Sequence, residues 1–207
     1  MADIALTPQP ALAGISIPGR HGRLEGRPGL TICERKRLAL VSVIGRKGQA
    51  STLAALVKNA YGIDLPTSPR MAGGPTPDGR SLSFIWAGPN QWLAYGEAHP
   101  DLEHELIMAL GNRAMIADQS DGRCVLRISG PKAREVLAKG VALDLDPRVF
   151  RPGDVALSMT AHMGVQLWQL GETPTYEIAM FRSLAGSFWS WLTASAAEFG
   201  YEVVEER

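Results

Sequence analysis

Ser83–Gly96 reads SFIWAGPNQWLAYG, two short apolar runs that meet at a Gly-Pro-Asn corner with a tryptophan on each side. Such a stretch is either a pocket walled by aromatic rings or a β-hairpin whose rings fill a core, and the choice decides the fold. Pro89 suits the first central position of a turn and Asn90 the next. Leu82, Phe84 and Trp86 alternate onto one face, as in a half-buried strand. A second stretch, WQLGETPTYEIAM (Trp168–Met180), repeats the plan: an aromatic residue, a Gly-and-Pro corner, then an aromatic strand. A feature built twice is read as hairpin and core. Trp86 and Trp92 are therefore expected to pack, with partner contact as their residual role.

Working outward, LALVSVIG (Leu38–Gly45) is a β-rich strand. In the following KGQASTLAALVKNAYG, Leu53, Leu56, Val57 and Ala60 share one helical face and Gly62 is a stop signal. IDLPTSPRMAGGPTPDGR reads as loop. After the hairpin, HPDLEHELIMALG is a helix with Leu102, Leu106, Ile107 and Leu110 in a stripe, and AMIADQS a strand. The second half follows the same order. RCVLRISG is a strand, and PKAREVLAKG a short helix with Pro131 at its first position. VALSMTAHMGVQLWQL and TYEIAMF are paired strands with a break near Gly164. SLAGSFWSWLTASAAEFG is a helix with Ser183 as N-cap and Phe188, Trp191 and Leu192 at helical spacing. YEVVEE is the last strand. The expected fold class is α+β: a duplicated split βαβ unit (βαββαβ twice), with two antiparallel sheets related by a pseudo-twofold. The repeats are placed at 38–121 and 122–207, forming one compact domain. Residues 1–37, rich in Pro, Gly and Arg, are expected to be a flexible arm that orders only against a partner.

A chain of 207 residues, 45% hydrophobic, can bury a real core without staples. A formal net charge of zero offers no basic field for phosphate backbones, so nucleic acid is excluded as a partner. No stretch reaches the roughly 18 apolar residues of a membrane span, and the N-terminus is not a signal peptide, so a soluble, cytoplasmic protein is expected. Cys33 and Cys124 lack metal-ligand or disulfide spacing and are expected to be small buried hydrophobes.

Tests for reactive constellations fail. His21, His99, His104 and His162 have no partner at metal or general-base spacing. IGRKG and ISGPKA follow strands and open helices, but neither completes a phosphate loop, so each is a tight turn. ADQSDGR (Ala117–Arg123) carries Asp118, Ser120 and Asp121, expected as turn hydrogen-bonders beside a Gly122 at positive φ. No catalytic, cofactor-binding or metal residue is assigned.

Several segments together carry a family likeness: WAGPNQWL, DQSDGRCVLRISGP and FRSLAGSFWSWL, in this order, within a similarity running from about residue 25 to the end. They resemble the gamma subunit of heterotetrameric sarcosine oxidase. The resemblance implies a fold related to the glycine-cleavage aminomethyltransferases and a complex with alpha, beta and delta subunits. That complex oxidatively demethylates sarcosine, giving glycine, hydrogen peroxide and, with tetrahydrofolate, methylenetetrahydrofolate. It also implies FAD on beta, FMN between alpha and beta, NAD on alpha and zinc on delta, with tetrahydrofolate bound by a partner and none of these in this chain. Asp118 is not carried over as catalytic, because its segment lies at the junction of the halves. The expected role is a non-catalytic structural subunit packing on the large subunit's folate-binding domain; the alternatives are a stand-alone folate-binding or one-carbon transfer protein, or an assembly factor. Ile15, Ile17 and Leu24 are the expected partner-interface residues.

Overall fold

A computed structural model describes residues 9–206. Its strands form two sheets, and helices cover the outer face of each. The chain enters through β1 (Gly19–His21), β2 (Leu30–Arg35) and β3 (Leu38–Gly45), then α1 (Ala50–Tyr61), β4 (Met71–Pro75), β5 (Ser81–Gly88), β6 (Gln91–Glu97), α2 (Leu102–Leu110) and β7 (Ala114–Asp118). It continues through β8 (Arg123–Ser129), α3 (Ala133–Leu137), β9 (Val155–Thr160), β10 (Met163–Gly171), β11 (Thr175–Phe181), α4 (Ala185–Ala196) and β12 (Tyr201–Val204). One sheet has the order β4-β5-β6-β3-β7, the other β1-β12-β2-β8-β11-β10-β9.

Period-2 alternation explains the layering. On β3, Val41 and Val43 face α1 and α2, joining Leu53, Val57, Leu82, Phe84, Trp92 and Leu106, while Leu40 faces the opposite sheet. On β11, Tyr176, Ile178 and Met180 face α3 and α4, whereas Ala179 turns inward with Val125, Val155 and Trp168. Strands buried on both faces read as near-continuous apolar runs, which is how LALVSVIG and TYEIAMF read. The sheets thus pack face to face, closed by Leu40, Ile85 and Leu93 against Val125, Val155, Trp168 and Ala179.

The corner at Gly88-Pro89-Asn90 is a hairpin. Trp86 pairs with Trp92 across it, the register shifts between Trp86 and Gly88, and Asn90 takes the left-handed conformation with φ 58°. The Asn90 side-chain amide donates to the Gly45 carbonyl at 2.6 Å, tying the turn to the end of β3. Trp92 is buried and its indole N–H donates to the Pro66 carbonyl at 2.8 Å; Trp86 is half-buried. The β10–β11 hairpin has a matching register shift between Gln169 and Gly171.

Several expectations are corrected. The stretch read as a flexible arm is not one over its described residues: β2 lies inside the larger sheet, parallel to β12 and antiparallel to β8. Leu12, Leu30 and Ile32 are fully buried there, so apolar burial is what orders the segment. Consequently that sheet is mixed rather than antiparallel, and the two sheets differ in strand number. Part of the presumed loop before the hairpin is the edge strand β4. The break expected near Gly164 is the turn at Ala161-His162, both at positive φ, between β9 and β10. Ile107 is exposed, since α2 buries only Leu102, Leu106 and Leu110. Pro131 precedes the Lys132 N-cap of α3, and Ser183 lies in a 3-10 turn ahead of α4, whose N-cap is Leu184.

Candidate functional site

The chemistry-bearing side chains converge where the sheets meet the C-terminal strand. Arg35, at the end of β2, reaches between the sheets with its side chain almost wholly buried. It forms ion pairs with Glu177 of β11 and Glu97 of β6, donates through Nε to Glu206 Oε1 at 2.7 Å, and donates to the Tyr95 hydroxyl at 2.9 Å. Glu177, fully buried in mid-strand, is the second hub. It accepts from Tyr95 at 3.2 Å, from Arg127 Nε at 3.0 Å and, through its other oxygen, from the Trp168 indole N–H at 3.1 Å. Glu206 also accepts from the backbone N–H groups of Lys36 at 2.7 Å and Arg37 at 3.0 Å. One network therefore joins β2, β6, β8, β10, β11 and the segment after β12.

Its electrostatics favour permanence over proton transfer. Burial works against the Arg35 charge, but Glu206, Glu97 and Glu177 outweigh it and hold the guanidinium above the ordinary arginine range. Burial, reinforced by Glu177, pushes the Tyr95 hydroxyl above the ordinary phenol range, so it stays protonated. Burial opposes the Glu206 charge, yet hydrogen bonds from Arg35 and the Lys36 N–H bring its carboxyl below the usual value. The buried members, Arg35 and Glu177, are each bonded to groups on several strands of both sheets, which ties the sheets together. A cavity of about 560 Å3 opens beside the network, lined by Cys33, Arg35, Glu97, Arg127 and Glu206 among others.

The residues singled out in the sequence lie elsewhere. Burial raises the Cys33 thiol, and burial followed by Glu34 pushes Cys124 up to about 12, so both stay protonated and poorly nucleophilic near neutral pH. Cys33 is half-buried rather than buried, at one wall of the cavity. His99 is buried with Nε2 at 2.9 Å from Glu105, and the His21 ring stacks on Tyr201. In ADQSDGR, Asp118 Oδ1 accepts from the Ser120 hydroxyl at 2.6 Å and backbone N–H at 3.0 Å, as a turn-forming aspartate does. Gly122, however, does not adopt a positive φ. Ile15, Ile17 and Leu24 are exposed around β1, remote in sequence from every network member except those of β2. Among the described residues no group of His, Cys, Asp and Glu is placed to hold a metal ion, and no helix is long and apolar enough to cross a membrane.

Sequence reading missed the network itself. A signal was present: Glu177 interrupts an otherwise apolar TYEIAMF, and Arg127 an apolar RCVLRIS. A charge in a strand buried on both faces requires a partner.

Comparisons with known proteins bear on the same chain. The profile of the "Sarcosine oxidase, gamma subunit family" matches residues 46–198. The sarcosine oxidase subunit gamma of Corynebacterium sp. (strain P-1) is 32% identical over 151 residues, 72% of each chain. That of Corynebacterium sp. (strain U-96) is 32% identical over 164 residues, 79% of this chain and 76% of the relative. Among solved structures, a chain of the heterotetrameric sarcosine oxidase from Corynebacterium sp. U-96 superposes with a TM-score of 0.79 at 27% identity, covering 93% of this chain and 96% of that one. The glycine cleavage system aminomethyltransferase T of Bartonella henselae shares the fold, with a TM-score of 0.64 at 17% identity over 86% of this chain and 48% of that one. By the extent of the profile match and the identity to these relatives, the chain belongs to the sarcosine oxidase gamma subunit family.

Proposed function

We propose that this chain is the gamma subunit of a heterotetrameric sarcosine oxidase and serves it as structure rather than as a reaction centre. The reaction in this reading is oxidative demethylation of sarcosine to glycine, with hydrogen peroxide and, given tetrahydrofolate, methylenetetrahydrofolate. FAD, FMN, NAD, tetrahydrofolate and zinc are assigned to the alpha, beta and delta partners, in the cytoplasm. The gamma chain packs on the folate-binding domain of the large subunit. The observation that carries the reading is the Arg35–Glu177–Glu206 network. Its buried charges, Arg35 and Glu177, pair with each other, and Arg35 and the Lys36 N–H hold Glu206, so the network ties the two sheets to the C-terminal segment. A unit tied in this way, with exposed Ile15, Ile17 and Leu24, fits a docking subunit.

The finer fold reading belongs to the same proposal: the halves are copies of one βαββαβ unit. It is supported by the shared order β3-α1-β5-β6-α2-β7 and β8-α3-β10-β11-α4-β12. The sheet order β5-β6-β3-β7 has its counterpart in β10-β11-β8-β12, if β2 is set aside as an insertion.

Co-expression with the three partner subunits tests the assignment. The chain is expected to copurify in fixed stoichiometry. A fully active flavoenzyme assembled without it would overturn the structural role, and calorimetric binding of tetrahydrofolate to the isolated chain, weakened by Asp118→Ala, would replace it with the folate-binding alternative.

A further inference from the structure

The facing sheets do not close along their whole length. Three cross-strand rows of the larger sheet point toward the smaller one. The first, Arg127–Glu177–Trp168–Val155, and the second, Val125–Ala179–Gln166–Leu157, run from the network outward; beyond them the pairs Arg123–Phe181 and Gly164–Met159 form a third row at the end of the register. Exposure rises along them: on β9 from 3% at Val155 to 51% at Leu157, and on β11 from 0% at Ala179 to 53% at Phe181. The smaller sheet does the same, from 2% at Leu40 to 40% at Ile44 on β3, with Met115 of β7 exposed directly beside Ile44. Inward-facing positions of packed sheets are ordinarily buried. Here they splay into a cleft of about 330 Å3, walled by Ile44 and Gln91 on one side and Leu157, Phe181 and Gln166 on the other. At Gly164 a Cβ would meet nothing within 4 Å, so the middle of the third row is open space.

The cleft has a defined charge. Arg123 is its one ionisable lining residue, and no carboxylate lines it. The Arg123 guanidinium lies 4.2 Å from the Phe181 ring centroid, its buried Nε has no hydrogen-bond partner, and no ion pair to it forms among the described residues. Burial lowers its pKa, which is the mark of a cation partly desolvated without compensation.

We propose that this splayed end receives a segment of a partner subunit, an apolar side chain entering between the sheets with an adjacent carboxylate that pairs with Arg123. A desolvated arginine stacked on an aromatic ring, within an apolar wall, is the composition of an interface anchor. The flexible Met115 and Met159 at the rim suit an adaptable contact. A second copy of this chain is the poorer occupant, because twofold pairing of the cleft would set Arg123 toward its own mate. The proposal rests on the reading of the chain as one subunit of an assembly, and assigns that assembly a contact distinct from Ile15, Ile17 and Leu24.

Gly164→Trp fills the cleft from within, Arg123→Glu reverses its charge, and Met159→Glu places a charge on its rim. Each is co-expressed with the partner subunits and also purified alone. The isolated Gly164→Trp chain is expected to melt at the wild-type temperature or above, while its recovery with the partners falls roughly tenfold or more; Arg123→Glu should lose it to a similar degree. If Gly164→Trp fails to fold, the two charge variants carry the test. Folded variants that assemble at wild-type yield overturn the cleft and leave the subunit assignment standing. A wild-type chain that does not copurify at all removes both. Dimerisation of the isolated wild-type chain, abolished by Gly164→Trp, would make a second copy the occupant and also overturn the proposal.

Discussion

Glu177 shows how much one side chain can hold. It sits in the middle of β11 with apolar neighbours on either side, and it joins Arg35, Arg127, Tyr95 and Trp168 at once. Replacing it by alanine leaves the Arg35 guanidinium buried with a diminished set of carboxylates and orphans the Trp168 N–H. Removing one partner of a buried ion pair typically costs about 3–5 kcal/mol, much more than a surface pair contributes. Glu177→Ala is therefore expected to lower the urea midpoint of the isolated chain sharply, while Glu25→Ala, whose pair with Arg23 is solvent-exposed, leaves it within error. Equal midpoints for the two variants would show that the network contributes nothing. The interruption of an apolar strand by Glu177 was visible in the sequence. Its partner was not, because Arg35 lies 142 residues away and only the packing of the sheets brings the two together.

At the scale of elements, strands with a clear apolar run were legible, whereas β2 and β4, set among Pro, Gly and Arg, were not. The β5–β6 hairpin announces itself through alternation and turn chemistry within fourteen residues. The alternation of LTICER, with Leu30 and Ile32 buried, is just as regular, but the surrounding Pro, Gly and Arg mask it. Its partners β8 and β12 lie far along the chain, so no local signal announces the pairing. β2 leaves its own mark at Gly130, where β8 turns toward α3. This residue has φ +124°, and a Cβ there would stand 2.8 Å from the Gly29 carbonyl oxygen and 2.8 Å from the Leu30 Cα. Both neighbours are backbone and cannot swing aside. Gly130→Ala should thus destabilise by about 1–3 kcal/mol through backbone strain and the forced retreat of β2. Hydrogen exchange should localise the loss to β2 and β12. A variant as stable as wild type, with unchanged protection in both strands, would refute this account of the corner.

At the scale of the whole molecule, the N-terminal segment decides whether the chain is a repeat with an appendage or a single interlocked body. The appendage reading predicts that removing residues 1–30 weakens assembly far more than folding. The packing argues otherwise. Leu12 is fully buried against the larger sheet, its N–H donates to the buried Glu34 carboxylate at 3.1 Å, and β1 pairs with β12 at the sheet edge. Losing a buried leucine alone typically costs about 2–5 kcal/mol, and the truncation also uncovers the edge of β12 and cuts into β2 at Leu30. The truncated chain is expected to show a clear fall in urea midpoint before any partner is added. The exposed residues of the same segment separate folding from docking: Ile15→Ser, Ile17→Ser and Leu24→Ser together remove side chains that are 48–62% exposed, so the midpoint should fall much less than on truncation while recovery with partner subunits falls. If the truncated chain is as stable as wild type, the N-terminal segment is an appendage after all. If the triple variant assembles at full yield, Ile15, Ile17 and Leu24 are ordinary surface, and docking rests on other faces of the molecule.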